Sequence, residues 1–304
     1  MRPFDLLVAG EINPDLILTG NVTPEFGQVE KIVQDAALAV GSSSVIVACG
    51  AARLGLKVAF MGKCGDDVFG RFMLDEMRKR GVDVSNVITV PGGQTGITVS
   101  LNTGDDRAML THLGLIAELQ AADVSDALLA QARHLHVASY FLQTKLQPGL
   151  PALFNRAHAL GLTTSLDTNY DPSEKWAGFD DLLAVTDVFL PNEAEAKSLT
   201  GAATAEEAAK RLRVKVETAA IKLGKAGALG FAPEQKIRME SIPVTVVDTV
   251  GAGDSFDAGF LYGYLSGWEM EKSLRLACVC GALSTRAAGG TAAQPTLEEA
   301  LKFL

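Results

Sequence analysis

Thr245-Val246-Val247-Asp248-Thr249-Val250-Gly251-Ala252-Gly253-Asp254-Ser255-Phe256 reads as a β-branched strand, a glycine turn and a helix whose first turn carries an acid. Gly251 and Gly253 allow a tight turn and close approach to a ligand. The amides of residues 251–254 have no partners within the helix and face outward at the positive end of its dipole, a ready anion site. A carboxylate facing a bound anion adds nothing to affinity. Phosphoryl transfer, however, needs an acceptor for the proton of the attacking hydroxyl, which makes Asp254 the candidate general base. A plain strand, turn and helix with Asp254 as N-cap fits the same residues, and spacing alone leaves both readings standing. Two other phosphate motifs are excluded. Phe256 stands where G-x-G-x-x-G needs its third glycine, and the turn does not end in the Gly-Lys-Ser/Thr of a Walker A loop.

Elsewhere the chain alternates strands and helices. Leu6 to Gly10 is an apolar run ended by glycine, the pattern of a buried parallel strand. Asn13 and Asp15 follow at its carboxyl end, the edge where open α/β sheets bind ligands. Asp15 can accept from two hydroxyls of a polyol, although a turn rich in Asn, Pro and Asp explains these residues locally as well. Gly41-Ser42-Ser43-Ser44 leads into a helix, Val45 to Leu54, capped by Ser42 or Ser43, and a second helix runs from Gly65-Asp66-Asp67 to Arg80. Leu16–Gly20, Asn86–Pro91, Gly96–Asn102 and Arg107–Leu113 are short strand-like runs, with Gly104-Asp105-Asp106 as a hairpin turn, and imply a separate antiparallel layer. From residue 123, helices 123–131, Leu150–Leu160 and 178–185 alternate with strands Leu135–Ser139, Thr163–Leu166 and Val188–Leu190, a parallel sheet wrapped by helices.

These later strands end in Tyr140, in Asp167-Thr168-Asn169 and in Asn192-Glu193-Ala194-Glu195. Asp167 and Asn169 fit either a capped turn or a ligand contact, and Asn192 with Glu195 fits a capping box. Residues 219–229 form a strand, a glycine turn and a return strand. His134 and His136 share one strand face with no third ligand nearby, so packing is the reading over metal.

Asp248-Thr-Val-Gly-Ala-Gly-Asp254 resembles the carboxy-terminal signature of the ribokinase-like (PfkB) carbohydrate kinases, and Arg53-Leu54-Gly55, Gly62, Gly65, Asp67 and Gly70 resemble the amino-terminal one. The resemblance spans nearly the whole chain with its elements in family order. It implies one kinase domain over residues 1–304, an α/β fold with a three-layer α/β/α core and a mostly parallel sheet. A small β lid, drawn from about 16–36 and 86–113, would cover the sugar and support a homodimer. Asp254 is implied as base, helped by the amides of Gly251, Ala252 and Gly253. ATP with Mg²⁺ is implied over Asn192, Glu195, Lys222, Gly224 and Gly227. The acceptor is implied at Asn13, Asp15, Gly41, Ser42, Tyr140, Asp167 and Asn169, and a monovalent cation, K⁺, at Asp248 and the carbonyl of Val250. The implied reaction phosphorylates a primary hydroxyl of a small sugar or sugar derivative. A nucleoside kinase of the same fold and a non-catalytic sugar-binding regulator are the alternatives, and the intact Asp254 and glycine turn speak against the regulator. Ser42 and Ile46 replace a glycine and an asparagine of the family pattern, which points to an acceptor with a deoxygenated or apolar edge at Ile46, or to one shifted so that Ser42 supplies the polar contact instead.

Composition agrees with this. A chain of 304 residues, 48% hydrophobic, suffices for one large α/β domain. A net charge of −9 argues against nucleic-acid and anionic-membrane partners, while leaving a nucleotide, held locally by amides, untouched. The four cysteines form no C-x-x-C pair and read as buried thiols in a reducing cytoplasm. The amino terminus is too charged for a signal peptide, and no apolar run is long enough to span a membrane.

Overall fold

In the computed structural model, which describes residues 2–103 and 106–304, the first apolar run is a strand, Phe4–Ala9, whose last four residues are fully buried. It lies parallel to Val58–Met61 on one side and to Ala132–Val137 on the other. Thr163–Leu166, Val188–Phe189 and Thr218–Lys222 extend the parallel sheet in that order. Ala228–Ala232, antiparallel to Thr218–Lys222, and Gln235–Met239, antiparallel in turn to Ala228–Ala232, complete the eight strands. Alternate residues of the first strand enter different cores. Leu6 and Val8 pack with helices Ser43–Arg53, Val68–Lys79, Ala252–Leu265 and Met270–Ser284, whereas Leu7 and Ala9 pack with Leu150–Ala159 and Ala205–Leu212. Burial on both faces is why these strands read as continuous apolar runs. The architecture is the expected three-layer α/β fold.

A second sheet of four strands stands apart, in the order Asp35–Val40, Pro14–Thr19, Ile97–Asn102, Arg107–His112. Its outer pairs are antiparallel, but the central pair is parallel, which corrects the expected all-antiparallel layer. Asp35–Val40 extends past the boundary expected near 36. The run 86–91 is not part of this sheet, because Ile88–Val90 pairs with Lys63–Gly65 in a two-stranded ribbon of its own. Gly104 and Asp105 of the expected hairpin turn lie outside the described residues.

Thr245–Val247 is not a strand. Val246 and Val247 are 57% and 63% exposed, and the amides of Val247 and Asp248 both donate to the carbonyl of Thr285. Gln235–Met239 already ends the sheet, and β-branched residues make no strand without a neighbouring ladder. The helix expected over 123–131 contracts to Asp126–Leu129, and the one over 178–185 to Asp180–Leu183. Ala205–Leu212, capped by Thr204, was not foreseen. All four cysteines are buried and free, and among the described residues no helix is long and apolar enough to cross a membrane.

Candidate active site

Gly251 begins the helix Ala252–Leu265 with φ +72°, and a Cβ there would lie 2.6 Å from the Cα of Gly290, so conformation and space both require glycine. The amide of Ala252 is taken by the carbonyl of Thr249 at 3.2 Å. The amides of Gly251, Gly253 and Asp254 have no acceptor among the described residues, so the anion site offers three donors and not the four expected. This turn separates two cavities. One, of about 550 Å³, is lined at the turn by Thr249, Ala252 and Gly253, then by Gly224 and Gly227, and its far wall of Ile242, Val244 and Ala282 is apolar. The other, of about 640 Å³, is lined by Gly251 and Asp254 and by the polar groups of Asn13, Asp15, Arg107 and Asn169.

Asp15 stands where strand Pro14–Thr19 leaves the core. A Cβ on Gly41 would lie 2.3 Å from its Oδ1, so the glycine lets the carboxylate rest against the backbone. Asn13 Nδ2 is 3.4 Å from both Asp15 Oδ1 and Thr98 Oγ1. Burial pushes the Asp15 carboxyl up to about 7, with Arg107 opposing and Asp248 reinforcing the rise. Gly41→Ala is expected to displace the carboxylate and raise KM for the acceptor about 10-fold or more, the value of one charge-assisted bond, while KM for ATP stays within about two-fold. Steady-state kinetics on each substrate checks this.

Ser42 has φ +67°, a conformation that favours glycine and accounts for the family's choice there. Its hydroxyl accepts from Val45 N at 3.1 Å as the helix cap and lies 2.7 Å from the carbonyl of Glu11, so it is committed internally. Glu11, which sequence reasoning passed over, is the hub of this corner. Its buried carboxylate accepts from Ser44 N (3.1 Å), Ser44 Oγ (2.5 Å) and Ser139 Oγ (2.9 Å). Ile46 is 3% exposed, with Cδ1 filling the space beside Gly290, yet it reaches the acceptor cavity wall. Tyr140 does not reach the cavity. It packs edge-on against Phe141 and Phe179, with centroids 5.2 and 4.8 Å away, and its neighbour Ser139, with φ +51°, lines the wall instead. Asn169 does line it, and its Nδ2 donates to Ser43 Oγ at 2.5 Å.

Asp254 is 8% exposed. Burial and the neighbouring Asp167 push its carboxyl up to about 7 against the pull of Lys222 and a hydrogen bond with Ser43, with Glu11 adding to the rise. Lys222 lines the cavity shared by Gly224 and Gly227. Its Nζ lies 2.7 Å from Asp167 Oδ2 and 3.1 Å from both oxygens of Asp257, so Asp167, expected at the acceptor, faces the lysine and does not line the acceptor cavity. Asp257 was not foreseen. Its signal was an acid three residues after Asp254, hence on the same helix face, in an otherwise apolar helix.

Asn192 and Glu195 form a complete capping box, with Asn192 Oδ1 accepting from Glu195 N at 2.9 Å and Glu195 Oε2 from Asn192 N at 2.8 Å. Burial pushes Glu195 up to about 7, Asp167 adding to the rise, and neither residue lines the two cavities. Each oxygen of Asp248 accepts from one amide, of Val250 at 3.0 Å and of Gly289 at 2.9 Å, so its side chain staples two loops.

A family model described as pfkB family carbohydrate kinase matches residues 5–297. The chain belongs to the pfkB family of carbohydrate kinases. Among relatives of this pfkB kinase, a 2-dehydro-3-deoxygluconokinase of Bacillus subtilis (strain 168) is 34% identical over 279 residues, 85% of this chain and 84% of that one. A 5-dehydro-2-deoxygluconokinase of Geobacillus thermodenitrificans (strain NG80-2) is 27% identical, over all of this chain and 94% of that one. The crystal structure of adenosine kinase from Sinorhizobium meliloti superposes with a TM-score of 0.87 at 25% identity, covering 99% of each chain. The protein is thus an ATP-dependent carbohydrate kinase. The two strand histidines of this pfkB kinase are core. His134 bridges Thr163 and Ser165, His136 meets the same serine, each at 2.7 Å, and burial lowers both below the usual imidazole range.

Proposed function

We propose that the chain transfers the γ-phosphoryl group of MgATP to a primary hydroxyl of a small sugar derivative, with Asp254 as general base. The observation that carries this is the glycine turn standing between two cavities, with Ala252 and Gly253 on one and Gly251 and Asp254 on the other. The first, walled by Ile242, Val244 and Ala282, suits a nucleobase, and Gly224 and Gly227 beside the turn suit its phosphates. The second gathers Asn13, Asp15, Arg107 and Asn169 and suits a polyol, with Asp254 on its side of the turn. The acceptor oxygen forms a bond to the γ-phosphorus as the bond to the bridging oxygen of ADP breaks, and the hydroxyl proton passes to the Asp254 carboxylate. The free amides of Gly251, Gly253 and Asp254 stabilise the charge that spreads over the transferring group. No side chain needs to form a covalent intermediate.

For the acceptor, two features favour a deoxygenated sugar acid. Ile46 offers an apolar wall where a hydroxyl would go unpaired. Arg107, on the lid strand Arg107–His112, faces the cavity and makes no ion pair among the described residues. The deoxygluconokinase relatives point the same way. A panel of deoxyhexonic acids, neutral hexoses and pentoses, and nucleosides, assayed for ADP release with the product located by phosphorus NMR, tests this. Highest kcat/KM on a deoxy acid is the expected result, and a nucleoside as best substrate would replace this reading with that of the adenosine kinase. ADP release without phosphorylation of any hydroxyl would reject both.

The lid also suits a second copy of this chain. Asp15, Thr98, Ser100, Arg107 and Thr111 face the cavity. By strand alternation and register, Leu16, Leu18, Leu38, Val99, Leu101 and Leu110 share the opposite face, where Leu110 is 62% exposed. A solvated sheet face is ordinarily polar, so this one is assigned to a homodimer. Light scattering is expected to give twice the chain mass for the wild type and a monomer for Leu110→Asp. A monomeric wild type at micromolar concentration would reject the dimer.

A further inference from the structure

Three carboxyl groups, from Asp167, Asp254 and Asp257, come within 4.8 Å of one another beside the phosphate turn. Such a cluster has the donors of a divalent-metal site, but the centre is filled by protein. Lys222 Nζ contacts Asp167 at 2.7 Å and both oxygens of Asp257 at 3.1 Å, and the side chains of Lys222, Asp167 and Asp257 are only 12%, 4% and 0% exposed. The ammonium also lies directly under the anion site, since a Cβ on Gly253 would be 3.7 Å from it. Asp167 and Asp257 thus share one ammonium, with carboxyl oxygens within 4.8 Å of each other. Two buried carboxyls this close do not both ionise readily, and one of them keeps a proton.

From this geometry we infer that Lys222, Asp167 and Asp257 form a net-neutral positioning cluster, one ammonium, one carboxylate and one carboxylic acid, that governs the ionisation of Asp254. The inference rests on the reading of Asp254 as base. Both acids meet the ammonium, but Asp167 meets it more closely, at 2.7 Å, and also accepts from Asn169 N at 3.2 Å, so the proton is assigned to Asp257; burial raises Asp257 well above the ordinary range, whereas Asp167 is lowered overall despite its burial. The cluster joins the ends of two sheet strands, Thr163–Leu166 and Thr218–Lys222, to the helix that carries the base one turn away. It has an electrostatic effect as well as a mechanical one. Charged and titratable groups act on Asp254 from each neighbouring element. They are Glu11 after the first strand, Asp167 and Lys222 at the two strand ends, Glu195 on helix Glu193–Thr200, and Asp257 on its own helix. Lys222 is the one cation among them. It cancels Asp167 and leaves Asp254 ionisable near neutral pH.

Lys222→Met keeps the length and removes the charge. The acid pair beside Asp254 is then uncompensated, and the acidic limb of kcat, measured at saturating acceptor, is expected to move up by about one pH unit. Turnover at pH 7 would fall about five-fold from that shift alone. In the charge-balanced double variant Lys222→Met/Asp167→Asn, the limb is expected to return to its wild-type position even where kcat does not recover. A purely mechanical role would not produce that rescue. An unmoved limb in the single variant, or an unrescued one in the double, overturns the inference. Should Lys222→Met fail to fold, Asp257→Asn decides. Replacing a protonated acid by a neutral amide leaves the limb in place, whereas loss of an ionised Asp257 would move it down by about one unit. Infrared spectroscopy gives a reading independent of activity, with a protonated-carboxyl band expected in the wild type at about pH 9 and lost in Asp257→Asn. Asp254→Asn serves as the control. If it retains turnover, the base assignment fails, and if it is inactive while the Lys222→Met limb is unmoved, the cluster inference fails alone.

Discussion

Asp254→Asn is expected to lower kcat by about 10²–10⁴-fold, the value of general-base help, while ATP affinity stays within about two-fold of wild type. The amide keeps the shape of the carboxylate but cannot take the proton. The same change is expected to stabilise the fold above neutral pH. The folded-state pKa of Asp254 is raised from its ordinary value to about 7. The stability associated with its protonated form is therefore fully present below about pH 4 and lost as pH rises through 7. The asparagine variant is spared that loss, which amounts to up to about 4 kcal/mol for a shift of this size, and should melt higher than wild type at pH 8 but alike near pH 4. Kinetics, nucleotide calorimetry and thermal melts check the three parts separately. Wild-type turnover in the variant would remove Asp254 from the mechanism.

Asp15→Ala is expected to weaken acceptor binding by a factor on the order of 10² and leave MgATP binding unchanged. A carboxylate that holds two hydroxyls makes two charge-assisted bonds of about 1.5–3 kcal/mol each, and Asp15 lines only the acceptor cavity. Calorimetric titration of each ligand separately reads this. Equal losses for both would mean that the residue holds the lid in place and does not bind the acceptor.

Local chemistry made much of this legible in the sequence. The glycine turn, the Ser42 cap, the Asn192–Glu195 box and the apolar strands each depend on residues within a few positions of one another, and the structure forms them where the sequence places them. What was misread depends on distant neighbours. Thr245–Val247 has strand composition but no adjacent ladder. Tyr140 follows a strand end, as a site residue would, yet an aromatic pocket formed with Phe179 draws it into the core. Asp167 was read beside the acceptor because the lysine it meets, Lys222, lies 55 residues away, and Asp257 lies 35 residues from that same lysine. Which acid a buried lysine meets is decided by strand order, and spacing along the chain does not reveal it.

The pH dependence of kcat at saturating acceptor, where Asp15 is already engaged, tests Asp254 as base most directly in the unaltered enzyme. A base held near 7 by burial and by Asp167 gives half the plateau rate at about pH 7 and a ten-fold fall for each pH unit below it. A rate that stays level from about pH 5 to about pH 8 would contradict a carboxylate base in this environment.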